Sequence, residues 1–301
     1  MDHETIPIFP DFKMFSSKDR NLIHGFLDQY DQVSCEYSFF NLFCWQKEYG
    51  LCFCLYKDRL LILDKKDNYF LMPLGKTLAP KKLAELSQNM KHLGKACNIA
   101  LVPHEYLESN PKIKKYYSAA PQKDSDEYIY SVKKLVDLKG KKLQKKKNLI
   151  SQFKRKYPDF CVKKIQGQLI KKSLTLARNI LDTSKGLIKT LLEEHSALEQ
   201  ALSIINGSLM DGLAITVEGK VVAFSIFSRL TPSTYDIHFE KSDLSFKGAA
   251  QVINHETAKY LKDKCEYVNR EQDLGIKGLR QTKLSWDPHI VFKPFLLAFR
   301  E

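Results

Sequence analysis

Apolar and polar positions follow two periods along this chain, and the changes of period mark its elements. Leu22, Ile23, Phe26, Leu27 and Tyr30 recur at three- and four-residue steps, which predicts a helix over Ser17–Tyr30 capped by Ser16 or Ser17. Glu36–Tyr49, dense in aromatic residues (Tyr37, Phe39, Phe40, Phe43, Trp45, Tyr49), reads as a buried helix ending at Gly50. Three short apolar runs follow, Leu51–Tyr56, Arg59–Asp64 and Tyr69–Leu74. Lys57-Asp58 and the polar turn Lys65–Asn68 separate them, so they predict a three-stranded meander. Pro80–Leu93 is a helix with proline at its start and Gly94 at its end. Asn98–Val102 is a strand, with a short helix near Glu105. Tyr116–Ala120 and Tyr128–Val132 are extended around the polar turn Gln122–Glu127.

The second half repeats that order. Lys139–Tyr157 is a basic helix with Leu143, Leu149, Ile150, Phe153 and Tyr157 on its inner side, closed by Pro158. Cys161–Ile165 is a strand, and Leu169–Leu181 and Leu191–Ile205 are helices. Leu213–Val217, Lys220–Arg229 and Thr234–Glu240 form a second meander. Gly248–Lys262 is a helix, Tyr267–Gln272 a strand, and a turn over Gly275–Gly278 leads into Leu279–Lys283 and an extended segment with Pro288 and Pro294. A duplicated α/β unit is expected, divided between Ala119 and Leu138. We take 1–130 as the N-terminal domain and 131–301 as the C-terminal domain holding the active site.

Composition narrows the classes. The 301 residues include 44% hydrophobic and 28% charged side chains, enough for two soluble cores. No apolar run approaches the ~18–20 residues of a membrane-spanning helix. Met1–Thr5 is acidic and lacks a basic-then-apolar signal region, so a cytoplasmic location is expected. The seven cysteines include Cys52-Phe53-Cys54 without a second pair at zinc-ligand spacing. They read as buried thiols, and no metal site is expected. The net charge of +13 concentrates between Lys133 and Lys172. The Lys139–Lys172 block suits RNA, CoA or an anionic membrane surface, or is a solvated helix face.

The densest chemistry lies between Tyr235 and Pro288. The helix start at Gly248-Ala249-Ala250, preceded by Lys247, suits an anion. The run Asn269-Arg270-Glu271-Gln272-Asp273 is too polar for the middle of a buried strand and suits a strand end aimed into a cleft. Arg280 and Lys283 follow. His238 shares a strand with Glu240. Phosphate-loop, nucleophile-elbow and dinucleotide motifs do not occur.

The run Val268–Ser285, together with Glu36–Trp45, Gly140–Phe153 and His238-Phe239-Glu240-Lys241, resembles the family of the phosphatidylglycerol lysyltransferase C-terminal domain, whose soluble members were long classed as a domain of unknown function. The resemblance runs from about Phe15 to Phe295. It implies an α/β (α+β) fold of two tandem acetyltransferase-like (GNAT-type) domains, mixed sheets flanked by helices. In that fold strands four and five splay apart to admit a donor. The donor implied is an acyl-CoA (acetyl-CoA included) or an aminoacyl-tRNA, with no tightly bound cofactor, and the acceptor an amine or a hydroxyl. Membrane-bound lysyltransferases also carry a multi-helix region that these residues do not show, so a lipid acceptor is not implied.

Roles follow from that chemistry. Glu240 or Glu271 is the expected base, with His238 as a further acid or base. Arg270 or Arg280 would hold the developing charge or a phosphate, and Asp273 an ammonium group. Lys247, Gly248, Asn269 and Lys283 complete the donor site. Two other readings stay open. Arg270, Glu271, Asp273 and Arg280 could instead brace the Gly275–Gly278 turn as an ion-pair network. The protein could also be a non-catalytic binder of RNA or an anionic surface.

Overall fold

Two mixed sheets flanked by helices carry the alternation read from the chain. The computed structural model describes residues 6–30, 34–183, 188–205 and 210–300; Met1–Thr5, read above for charge alone, lie outside them. The first elements are α1 (Arg20–Gln29), α2 (Phe39–Tyr49), β1 (Cys52–Tyr56), β2 (Arg59–Asp64), β3 (Tyr69–Leu71), β4 (Leu74–Gly75), α3 (Pro80–His92), β5 (Ile99–Val102), α4 (His104–Ser109) and β6 (Tyr117–Pro121). Next come β7 (Glu127–Ser131), α5 (Val132–Asp137), α6 (Gln144–Lys156), β8 (Cys161–Lys164), α7 (Gln168–Thr183), α8 (Ile188–Ser203), β9 (Asp211–Val217), β10 (Lys220–Arg229) and β11 (Thr234–Ser242). The chain closes with α9 (Ala249–Leu261), β12 (Tyr267–Gln272), α10 (Lys277–Leu284), β13 (Ile290–Phe292) and β14 (Phe295–Phe299).

One sheet runs β1-β2-β3-β5-β14-β6, with β4 beside β2. The other runs β13-β7-β12-β11-β10-β9-β8. The repeat foreseen in the order of elements is real. In each sheet an antiparallel meander ends in a strand whose next neighbour is parallel, reached through a helix: β3 to β5 through α3, and β11 to β12 through α9. A parallel neighbour needs such a crossover, because a tight turn only reverses the chain.

The chain divides into two compact units. The first comprises Met1–Glu127, Gln272–Ile276 and Val291–Glu301; the second comprises Tyr128–Glu271 and Lys277–Ile290. A single cut at residue 130 leaves Tyr128–Tyr130, Gln272–Ile276 and Val291–Glu301 on the other side of this division. The last of these joins the first unit through β14, the apolar Phe295–Phe299, which pairs antiparallel with both β5 and β6 and buries Leu297 completely.

The first unit's core gathers Leu61, Phe70, Leu83, Leu86, Met90 and Leu297 against Cys52 and Cys54. Those cysteines are free and buried, and burial together with the neighbouring Cys52 thiol pushes Cys54 up to about 12. Ser38 caps α2, accepting from the Asn41 N–H at 3.1 Å. In the second unit α9 packs on β9, β10 and β11, burying Val252, Ile253, Ala258 and Leu261. α5 and α6 lie against α9 in turn. The basic helix starts at Gln144 rather than Lys139 because Gly140, at φ +98, interrupts the chain before it. Gly278, expected in a turn, lies inside α10.

Candidate functional site

β11 and β12 are paired over Thr234–Asp236 against Tyr267–Asn269 and then part. β11 also bulges there. Toward β10, Ile226 pairs with Phe239 and Phe227 with Ile237, which leaves His238 as the extra residue. Such bulges re-aim a side chain and end a pairing. The strands open where the sequence concentrates its polar groups.

His238 is the centre of the first cluster. Its Nε2 is 2.8 Å from the Ser228 hydroxyl of β10. Its Nδ1 lies 3.4 Å from Asp236 Oδ2 and 3.4 Å from Glu271 Oε1. His238 and Asp236 are buried, whereas the Glu271 side chain is 26% exposed. A proton arriving at Glu271 therefore has an imidazole and a second carboxylate behind it.

Glu271 adopts φ +57, the left-handed region that a branched or long side chain disfavours. Two side chains hold it there. Asn269 Oδ1 accepts from the Glu271 N–H at 2.8 Å, and Lys283 Nζ donates to the Glu271 carbonyl at 3.0 Å and to the Arg270 carbonyl. Asn269 is fully buried, so this grip is part of the core.

Arg270 points into a second cluster. Its Nη2 donates to Glu240 Oε1 at 2.7 Å. A guanidinium only donates, so the Asn254 carboxamide is oriented with its oxygen inward, 2.8 Å from Arg270 Nη1. Arg270 also lies 5.7 Å from the Tyr130 ring centroid and 5.6 Å from that of Trp286, within cation–π reach. A gap of about 10 Å³, room for one water, lies among Glu240, Asn254, Thr257 and Arg270. Lys146 reaches Trp286 from α6, at 5.0 Å, and donates to Ser285 Oγ at 2.8 Å. Burial, and then the charge of Arg270, hold the Lys146 ammonium below the usual lysine range. Asp287 accepts from Lys134 and, at 2.7 Å, from Lys142, and these bonds hold its carboxyl below the ordinary range.

The family model for the C-terminal region of phosphatidylglycerol lysyltransferase matches residues 27–298. The chain belongs to that family. A conserved protein of unknown function from Bacteroides thetaiotaomicron is similar at 29% identity and a TM-score of 0.88, covering 98% of this chain and 100% of that one. The C-terminal domain of a lysylphosphatidylglycerol synthetase from Agrobacterium fabrum shares the fold, with a TM-score of 0.66 at 12% identity over 95% of this chain and 93% of that one. An uncharacterized protein of Mycoplasmoides gallisepticum, MYCGA3080, is 25% identical over 196 residues, 61% of this chain and 59% of that relative's length. Among the described residues, no helix is long and apolar enough to cross a membrane.

Against this family frame, the residues singled out in the sequence divide into groups. Glu240, Arg270, His238, Glu271, Asn269 and Lys283 share two touching clusters of the second unit. Arg280 is half-buried on α10. Asp273 belongs to the first unit, where its carboxylate accepts from the Gly275 N–H at 2.9 Å and caps a turn. The bracing network expected around that turn is replaced, for Arg270, by the pairing with Glu240. Lys247 is exposed. Gly248, at φ +96, is buried beneath α6: a Cβ there would sit 2.7 Å from the Leu149 carbonyl oxygen. The small residue makes room for the backbone of α6.

Sequence reasoning missed Asp236, Ser228, Asn254, Tyr130 and Trp286. Asp236 had a signal, since it stands two residues before His238 on one strand. The others come from other elements and carried none.

Proposed function

We propose that the protein transfers an aminoacyl group from a tRNA to an amine or hydroxyl acceptor, with Glu271 as the base. The observation that carries this reading is the grip on Glu271: a strained, part-exposed carboxylate fixed by Asn269 and Lys283 and backed by His238 and Asp236. Strain maintained at such a point is a mark of function. Glu271 takes the proton as the acceptor's nitrogen or oxygen bonds to the aminoacyl carbon. The ester bond to the terminal ribose breaks, and the proton passes to the departing ribose oxygen. His238 positions Glu271 and shares the charge. Arg270, oriented by Glu240 and Asn254, supplies the positive charge for the developing oxyanion. Membership in a family named for a lysyltransferase supports an acyl or aminoacyl donor.

An acyl-CoA donor is the second reading. It keeps the same base and would place the donor's phosphates at the start of α9, beside the exposed Lys247. The test is transfer from radiolabelled aminoacyl-tRNA and, separately, from acetyl-CoA to a panel of amines and hydroxyl compounds. Transfer from tRNA that falls at least about a hundredfold in Glu271→Gln supports the reading. Undiminished transfer by Glu271→Gln removes the base, and transfer from acetyl-CoA alone removes the donor.

A further inference from the structure

The buried face of α6 holds Ile150 and Phe153, and the helix lies against α9. Lys146 precedes them by four and seven residues, so it stands on that same face, where the pattern calls for an apolar side chain. A local choice that conflicts with the pattern signals a demand from elsewhere. The Lys146 side chain is half-buried. Its ammonium lies 5.0 Å from the ring centroid of the buried Trp286 and 2.8 Å from Ser285 Oγ.

The neighbouring cations of the second unit are spoken for. Lys134 and Lys142 reach Asp287, Arg270 reaches Glu240, and Lys283 reaches the carbonyls of Arg270 and Glu271. Lys146, by contrast, has no carboxylate within salt-bridge reach among the described residues, and meets a hydroxyl and an indole instead. Arg270 lies over the same indole at 5.6 Å, and its charge adds to burial in holding the Lys146 ammonium below the usual lysine range. The first turn of α6 carries no acid either, and contributes the positive end of the helix dipole. An ammonium with part of its water removed, a guanidinium beside it and no counter-charge gains most from a bound anion.

We propose that Lys146, Ser285 and Arg270 hold a phosphate group of the donor. Ammonium, hydroxyl and guanidinium come from α6, from the residue after α10 and from β12, and three donors from three directions suit a group that offers several oxygens. The proposal deepens the aminoacyl-tRNA reading and rests on it for the identity of the donor: the phosphate is that of the terminal nucleotide. That phosphate lies only a few covalent bonds from the aminoacyl ester, as this site adjoins the Arg270 that meets the oxyanion. In an acyl-CoA a long arm separates the thioester from the phosphates, so that donor would leave this site empty of phosphate.

Equilibrium dialysis with radiolabelled AMP tests the site. Trp286 emission locates it in a Trp45→Phe background, where that indole is the sole one. AMP should bind saturably and change the emission, inorganic phosphate should displace it, and adenosine and acetate should not. Lys146→Met keeps the stem and removes the charge. It should raise the Kd for AMP at least about tenfold, as for a hydrogen bond to a charged group. Without ligand it should melt no earlier than the wild type, because a half-buried charge has gone. Lys146→Gln decides the matter if Lys146→Met melts early. Ser285→Ala should raise Kd about fivefold, and Lys147→Gln, an exposed neighbour, should change nothing. Absence of saturable AMP binding, wild-type affinity in the Lys146 variants, or displacement by adenosine or acetate as readily as by phosphate overturns the inference. AMP binding without transfer keeps the site and removes the transferase reading; transfer from tRNA without AMP binding does the reverse.

Discussion

Lys283 donates its ammonium to the carbonyl of Glu271 at 3.0 Å, from a point twelve residues further along the chain. The bond joins α10 to the end of β12 and fixes the left-handed backbone of a carboxylate that faces His238. A left-handed conformation costs a non-glycine residue roughly 1–2 kcal/mol. Glu271→Gly should therefore melt higher than Glu271→Ala, which keeps the strain without the carboxylate. Both should lose transfer at least about a hundredfold. Lys283→Met should lose about 1.5 kcal/mol, as for a hydrogen bond to a charged donor, and lose transfer with it. Thermal melts beside a transfer assay measure both quantities.

Glu240 and Arg270 are each less than one-fifth exposed, and removing one leaves the other poorly paired. Glu240→Ala should destabilise by about 3 kcal/mol. Glu240→Ala combined with Arg270→Met should recover part of that loss. Urea denaturation of the single and double variants gives the coupling directly, and additive losses would mean that the two side chains do not act as a pair.

Gly248→Ala places a Cβ 2.7 Å from the Leu149 carbonyl and 3.0 Å from the Phe153 Cβ at φ +96. Both partners belong to α6 and neither is a flexible tip. A loss of about 2 kcal/mol or more is expected. Circular dichroism melts test it, and an unchanged midpoint would show that α6 can withdraw from α9.

Asp64 supplies a pH dependence of known sign. Burial pushes its carboxyl up to about 6, against the bonds its oxygens accept from the Asp67 and Lys66 backbone. A folded-state value above the unfolded one stabilises the protonated form. That contribution is complete below about 4 and is lost as pH rises through about 6. Asp64→Asn keeps an acceptor oxygen and removes the charge. It should raise the melting midpoint at pH 7.5, by no more than about 3 kcal/mol of stability, and lose that advantage near pH 4. An equal gain at both pH values would mean that the carboxyl titrates normally.

Much of the second unit could be read from the chain because its signals are local. Thr234–Glu240 was expected as a strand and runs to Ser242, and Tyr267–Gln272 was expected and found over the same residues. The polar run after Val268 begins where the parallel pairing of β12 with β11 ends, at Asn269. What escaped were relations set by packing across long separations. A glycine at a helix start has more than one explanation, and the one packing supplies for Gly248, the close approach of Leu149, comes from a helix about a hundred residues earlier. The pairing of Glu240 with Arg270 depends on where two strands diverge, which no spacing encodes. Strand β14 was expected only as part of an extended segment with Pro288 and Pro294. Its partners lie 174 to 198 residues earlier, from Pro121 of β6 opposite Phe295 to Ile99 of β5 opposite Leu297.

That last pairing bears on how the protein comes into being. β14 sits between β5 and β6, so during synthesis those two strands wait with an unfilled slot while the entire second unit is being made. The exposed backbone of β5 and β6 is then open to the wrong strand, including one from another ribosome's product. A gene split near residue 130 would give one polypeptide missing a central strand and another carrying that strand as a loose, sticky end.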